Sequence, residues 1–172
     1  GIVLNNGLLT GTPFSLAAGS TISGNSIVRL GAEVEAGTLK AFGIDCAADG
    51  CAISENILLY NSPEYGGISV SGRNTVVERN QLRSMLKEAG SVRPIALLLA
   101  RLGGNGSLGS FGGRLSGNLV LGVQEGIVVF GNEGAEVLDN RVESEGQEVG
   151  FGILLGASSR VRVQGNRLTN TA

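Results

Sequence analysis

The chemistry open to this chain is limited first by what it lacks. It has no histidine and no tryptophan, and its only aspartates are Asp45, Asp49 and Asp139. General acid–base work would therefore fall to carboxylates, arginine or lysine. The best constellation of such residues is Glu55, Glu78 and Arg79, with Asp45 beside them. Two carboxylates at a working distance would serve glycoside hydrolysis, and a carboxylate cage would hold calcium. The plainer reading of Glu55 and Arg79 is a solvated surface ion pair of small energetic weight. No residue is assigned a catalytic role on type and spacing alone. With only Tyr60 and Tyr65 beyond five phenylalanines, an aromatic platform for sugars is thin.

Three further signals bear on chemistry. Residues 104–109 match the G-x-G-x-x-G dinucleotide pattern, but Ser110-Phe-Gly-Gly-Arg-Leu does not read as the helix that would hold a pyrophosphate. A flexible glycine loop is expected there. Asn105-Gly-Ser107 is a lone glycosylation sequon. Cys46 falls two residues after Ile44, and Cys51 two before Ile53. Both readings of that pair stay open: buried thiols packing as small hydrophobes, or a local disulfide across Ala47–Gly50. The second would fit an oxidising compartment. Two cysteines without histidine do not make a metal site, and no cofactor is expected.

The elements that must position these residues follow from composition and repeats. The chain has 172 residues, 42% of them hydrophobic, with a mean hydropathy of +0.21. That is enough apolar material for the core of one domain, so a disordered chain is excluded. The longest wholly apolar stretch, Ile95 to Ala100, is the length of a strand, so no membrane-spanning helix is expected. Thirteen basic and fifteen acidic residues give a net charge of −2, too little positive charge for general nucleic-acid binding. Glycine is the outlier at 29 residues, well over twice the usual share.

Six segments share the pattern apolar, any, any, Asn, any, apolar. They run Ile22 to Ile27, Ile53 to Leu58, Val77 to Leu82, Leu115 to Val120, Val137 to Val142 and Val163 to Leu168. Their asparagines are Asn25, Asn56, Asn80, Asn118, Asn140 and Asn166. A small or turn residue followed by Ile precedes each one: Gly1-Ile2, Gly43-Ile44, Gly67-Ile68, Pro94-Ile95, Gly126-Ile127 and Gly152-Ile153. The Ile-to-Asn separations are 23, 12, 12, 23, 13 and 13, so each unit is a core of roughly two dozen residues plus variable loops. Apolar residues at i, i+2 and i+4 indicate strands. Stacked units then place Glu55 and Arg79 at one register position, about 5 Å apart. An Asn recurring at one bend has two physical uses: an αL or bridge conformation, and a side-chain ladder along the stack.

On the Gly-Ile strand and the apolar-x-x-Asn-x-apolar turn, the sequence from Gly1 to Leu168 resembles the right-handed parallel β-helix, pectate-lyase-like superfamily. The resemblance implies a single all-β domain over 1–172, a right-handed solenoid of about six coils with an Asn ladder and long loop insertions. Catalytic members of that superfamily act on polysaccharides. Lyases use clustered Asp or Glu for calcium with an Arg or Lys base, and hydrolases use two or three Asp. Neither motif carries over position by position to this sequence.

The expected function is thus a structural or binding module of a secreted, cell-surface or tail-fibre-like assembly, with a polysaccharide partner. The alternative is a polysaccharide lyase or glycoside hydrolase domain, for which calcium would be the cofactor. Four loops, 5–19, 31–42, 84–93 and 103–113, are expected to gather where a binding face would be built. Val3, Ala96, Leu98, Val128, Phe130 and Leu154 are expected outward, and Asp45, Ser69 and Ser71 form a polar outer patch. Neither end shows a capping helix. Uncapped ends and the apolar strip Leu98, Val128, Phe130, Leu154 lead to an expectation of self-association or adjoining domains.

Overall fold

The protein's computed structural model describes residues 2–4, 18–30, 41–60, 65–85, 95–100, 110–123, 125–144 and 151–169. Most of the four long loops, the 104–109 glycine segment and the Asn105 sequon lie outside them.

The repeats fold into a parallel β-solenoid. Each repeat gives one short strand to each of three six-stranded parallel sheets, and a small two-stranded parallel sheet pairs Ser110–Phe111 with Asn132–Glu133. The first sheet comprises Ile2–Leu4, Ala41–Cys46, Tyr65–Val70, Ile95–Ala100, Glu125–Phe130 and Phe151–Gly156. The second comprises Thr21–Ser23, Ala52–Ser54, Val76–Glu78, Arg114–Ser116, Glu136–Leu138 and Arg162–Gln164. The third comprises Ser26–Leu30, Ile57–Tyr60, Gln81–Ser84, Leu119–Leu121, Arg141–Glu143 and Arg167–Thr169. Among the described residues there is no helix, hence none long and apolar enough to cross a membrane.

Register follows the apolar pattern because a one-residue slip would turn every inward side chain outward. In the second sheet Ile22, Ile53, Val77, Leu115, Val137 and Val163 align in one column. In the third, Ile27, Leu58, Leu82, Val120, Val142 and Leu168 do the same. The middle members of both columns are buried. Each such side chain contributes about 1.5–3 kcal/mol by leaving water. Val163 and Leu168, on the last rung of the stack, are exposed.

The first sheet departs from expectation in its fourth strand. Ile95 does not join the column of Ile44 and Ile68; Leu97 takes that place, between Ile68 and Ile127, and Ile95 pairs with Glu125. Because residues 95–100 are all apolar, a two-residue shift keeps the same faces and incurs no burial penalty. Packing at the preceding position decides the register. A Cβ on Gly67 would collide with the Leu82 side chain and the Ala96 carbonyl, and one on Gly126 would lie 2.8 Å from Val142 Cγ1. Only a small residue fits there, so the pair Ala96-Leu97 seats where Pro94-Ile95 would not. Ala96 is accordingly buried, not outward, and Ser69 is buried too.

The outer column of this sheet aligns Asp45, Ser69, Leu98, Val128 and Leu154. Val128 is buried, unlike the expected bare strip, while Phe130 and Leu154 remain exposed. The Phe130 ring lies over the backbone of Gly156, where a Cβ would sit 2.5 Å from its Cδ2.

Candidate functional site

Among the described residues, the corner between the second and third sheets is rich in polar contacts. Here the Asn ladder forms as expected. Each backbone N–H and side-chain amide donates to the Oδ1 of the Asn one rung on, at 2.9–3.0 Å, from Asn25 through Asn56, Asn80, Asn118 and Asn140 to Asn166. The amides also donate to inner-column carbonyls such as Ile53 and Val77.

The ladder asparagines do not themselves adopt the αL conformation. The residue before each one does: Gly24, Glu55, Arg79, Gly117, Asp139 and Gly165 have φ between 53° and 68°. A second αL column stands five residues earlier, at the corner entering the second sheet: Gly19, Gly50, Asn74, Gly112, Gly134 and Arg160. Three-residue strands between two tight bends require this backbone, and glycine adopts it at least cost. Glu55 and Arg79 are therefore held in a conformation costing about 1–2 kcal/mol per non-glycine residue.

Both are turned outward and paired. Arg79 Nε and Nη2 each lie 3.2 Å from Glu55 Oε1, and Nη2 lies 2.8 Å from Glu78 Oε1. Glu78 Oε2 reaches Arg114 Nη2 at 4.0 Å. The hydrogen bond that Arg79 donates to Glu55, then the charge of Glu78, raise the pKa of the Arg79 guanidinium above its ordinary value. A raised cationic pKa adds stability that is lost only as pH climbs past an already high value, so Arg79 carries no titration near neutrality.

Three of the four sequence candidates thus meet, and Asp45 does not join them. It sits in the first sheet, aligned with Val3 and Ser69. The expected neighbourhood failed because strands of one repeat belong to different faces of the coil. Among the described residues, no group of three acidic, cysteine or histidine side chains is placed to hold a metal.

Cys46 and Cys51 form a disulfide, so the buried-thiol reading is corrected, although both residues are fully buried as it required. They bracket the bend from the first sheet to the second, whose Gly50 has φ 68°. That bend turns the two inward positions toward each other.

Sequence reasoning missed the residues beside the cluster. Arg114 also lines a groove of about 300 Å³ at the bend into the second sheet, with Asn74, Thr75, Gly112, Gly134 and Glu136 among its walls. The missed signal was the Gly or Asn standing five residues before the αL residue in five of the six repeats. No family model matches the chain, and no curated protein or solved structure is significantly similar to it.

Proposed function

We propose that this chain is a binding module built on a structural solenoid, belonging to a secreted, cell-surface or tail-fibre-like assembly, and that it holds polysaccharide on the charged corner of Glu55, Glu78, Arg79 and Arg114. One observation carries the reading. Glu55 and Arg79 occupy strained αL positions where three other repeats use glycine. Exposed ion pairs repay little of such strain, and residues kept at a conformational cost point to function. The Cys46–Cys51 disulfide supports an oxidising, extracellular setting. The repeat pattern and the Asn ladder support kinship with the pectate-lyase-like β-helices. Exposed Phe130 and Leu154, next to Leu98 and Val128, support association with a further domain or subunit.

The same strain favours a second reading, a calcium-assisted lyase or a hydrolase in which Glu55 and Glu78 form the acidic pair and the Arg79 guanidinium, held protonated between them, steadies developing negative charge. Retention on immobilised neutral and acidic polysaccharides, run with calcium and with chelator while assaying for chain cleavage, separates the two. Retention without cleavage, weakened in a Glu55→Ala, Arg79→Ala double variant, is the expected result. Cleavage that vanishes in Arg79→Ala would replace the binding reading with the enzymatic one. No retention on any polysaccharide would remove both.

A further inference from the structure

We infer that the groove at the bend into the second sheet is a subsite for one neutral, hydroxyl-rich ring, a single sugar unit of a bound chain. The inference rests on the polysaccharide reading above and adds where a sugar sits and what charge it bears. At about 300 Å³ the groove stands at the lower limit of small-ligand sites. Its floor is bare backbone: Gly112 and Gly134 are αL glycines, and nothing lies within 4 Å of where a Gly134 side chain would begin. Its walls come from the outer column of the second sheet, in which Val76, Arg114 and Glu136 are neighbours on successive rungs.

The polar groups alternate in kind. Arg114 only donates hydrogen bonds, Glu136 only accepts, and the Asn74 amide does both. A hydroxyl-rich ring needs donors and acceptors together, because each hydroxyl is itself both. Charge narrows the class further. Glu136 lies 3.6 Å from Arg162, and Arg114 lies 4.0 Å from Glu78, so the four side chains Glu78, Arg114, Glu136 and Arg162 pair opposite charges and together sum to neutrality. An anionic ring meeting Arg114 would also meet Glu136, and a cationic one the reverse. The methyl groups of Val76 and the glycine methylenes suit the C–H face of a sugar. At the base, Thr75 is 1% exposed and its Oγ1 has no hydrogen-bond partner among the described residues. Buried hydroxyls left in that state are uncommon. No aromatic side chain is among the lining residues, so affinity is expected in the millimolar range, with the binding built from several such contacts along a chain.

The test is a heteronuclear NMR titration of the whole chain with maltotetraose, cellotetraose and an oligogalacturonate. Gly134→Asn serves as the blocking variant, since Asn already takes αL at the equivalent position 74. The amides of Gly112, Gly113 and Gly134 should shift with a neutral oligosaccharide, no more strongly with the uronate, and Gly134→Asn should lower affinity about tenfold or more with an unchanged melting temperature. Shifts confined to residues 55, 78 and 79 would overturn the groove and leave the polysaccharide reading standing. Undiminished binding by Gly134→Asn, or a preference for the uronate, would overturn it as well. A chain that no saccharide perturbs would take both readings down together.

Discussion

At the corner between the second and third sheets, two columns of residues stand one position apart in sequence and have opposite characters. The asparagine column is uniform and its four middle members are buried, each donating and accepting within the ladder. The αL column just before it holds Gly, Glu, Arg, Gly, Asp and Gly, all facing solvent. One backbone geometry serves both columns. The difference shows what the coil demands and what it leaves free. Inside the bend, one side chain alone satisfies the hydrogen-bonding groups of three successive rungs. Outside it, the coil demands only a positive φ, and side-chain identity is open to function.

The largest way to break this contrast is to remove a ladder residue from the middle. Asn118→Ala deletes the Oδ1 that accepts from the N–H and amide of Asn80, and the amide that donates to the Val77 carbonyl and Asn140. Orphaned groups in a buried corner should cost about 2–4 kcal/mol in urea unfolding. Asn25→Ala, on a half-buried first rung whose Oδ1 accepts no ladder bond among the described residues, should cost about 1 kcal/mol. Equal losses at the two sites would show that the ladder is decoration on a coil held by its apolar columns.

A smaller effect probes the outer column. Gly117 has φ 62°, and a Cβ there would meet nothing closer than Arg79 Cγ at 3.8 Å. Space is free and only the conformation is costly. Gly117→Ala should therefore destabilise by about 1 kcal/mol, and Gly117→Asn by less, because Asn tolerates αL. A neutral Gly117→Ala in thermal unfolding would mean that the αL position carries no penalty, and would weaken the significance given to Glu55.

Much of this corner was legible in the residues, and the limits of legibility were physical. The six asparagines could be read because a buried amide spanning rungs admits no substitute, so residue type and position recur together. The αL column escaped notice because its requirement is conformational: Glu55 and Gly117 look unrelated until their dihedrals are known. Ile95 misled because residues 95–100 are apolar throughout, and periodicity cannot fix register where every residue fits either face. The cluster of Glu55, Glu78 and Arg79 followed from register, whereas Asp45 was misplaced, because sequence proximity within a repeat says nothing about which sheet faces which. The groove required the shape of the bend, and no residue type announces that.

The finest test asks whether Glu55 is kept for stability or in spite of it. Two substitutions remove the same carboxylate and differ only in backbone. Glu55→Ala loses the pairing with Arg79 and keeps a Cβ at φ 58°, so the αL cost stays. Glu55→Gly loses the same pairing and releases about 1–2 kcal/mol of αL strain, offset by the about 0.5–1 kcal/mol that glycine's freedom adds to the unfolded chain. Arg79 retains Glu78 in either case. The Gly variant should therefore unfold about 0.5 kcal/mol harder than the wild type, and the Ala variant should match the wild type or fall slightly below it. That ordering, from paired chemical-denaturation curves at low and high salt, would mean a glutamate is maintained where glycine is the more stable choice, which is the premise of a binding role for this corner. If the Gly variant is instead the less stable, and its deficit shrinks as salt screens the pair, then the Glu55–Arg79 contact outweighs the strain. The charged corner would then be a structural clasp, with the ligand to be sought in the groove alone.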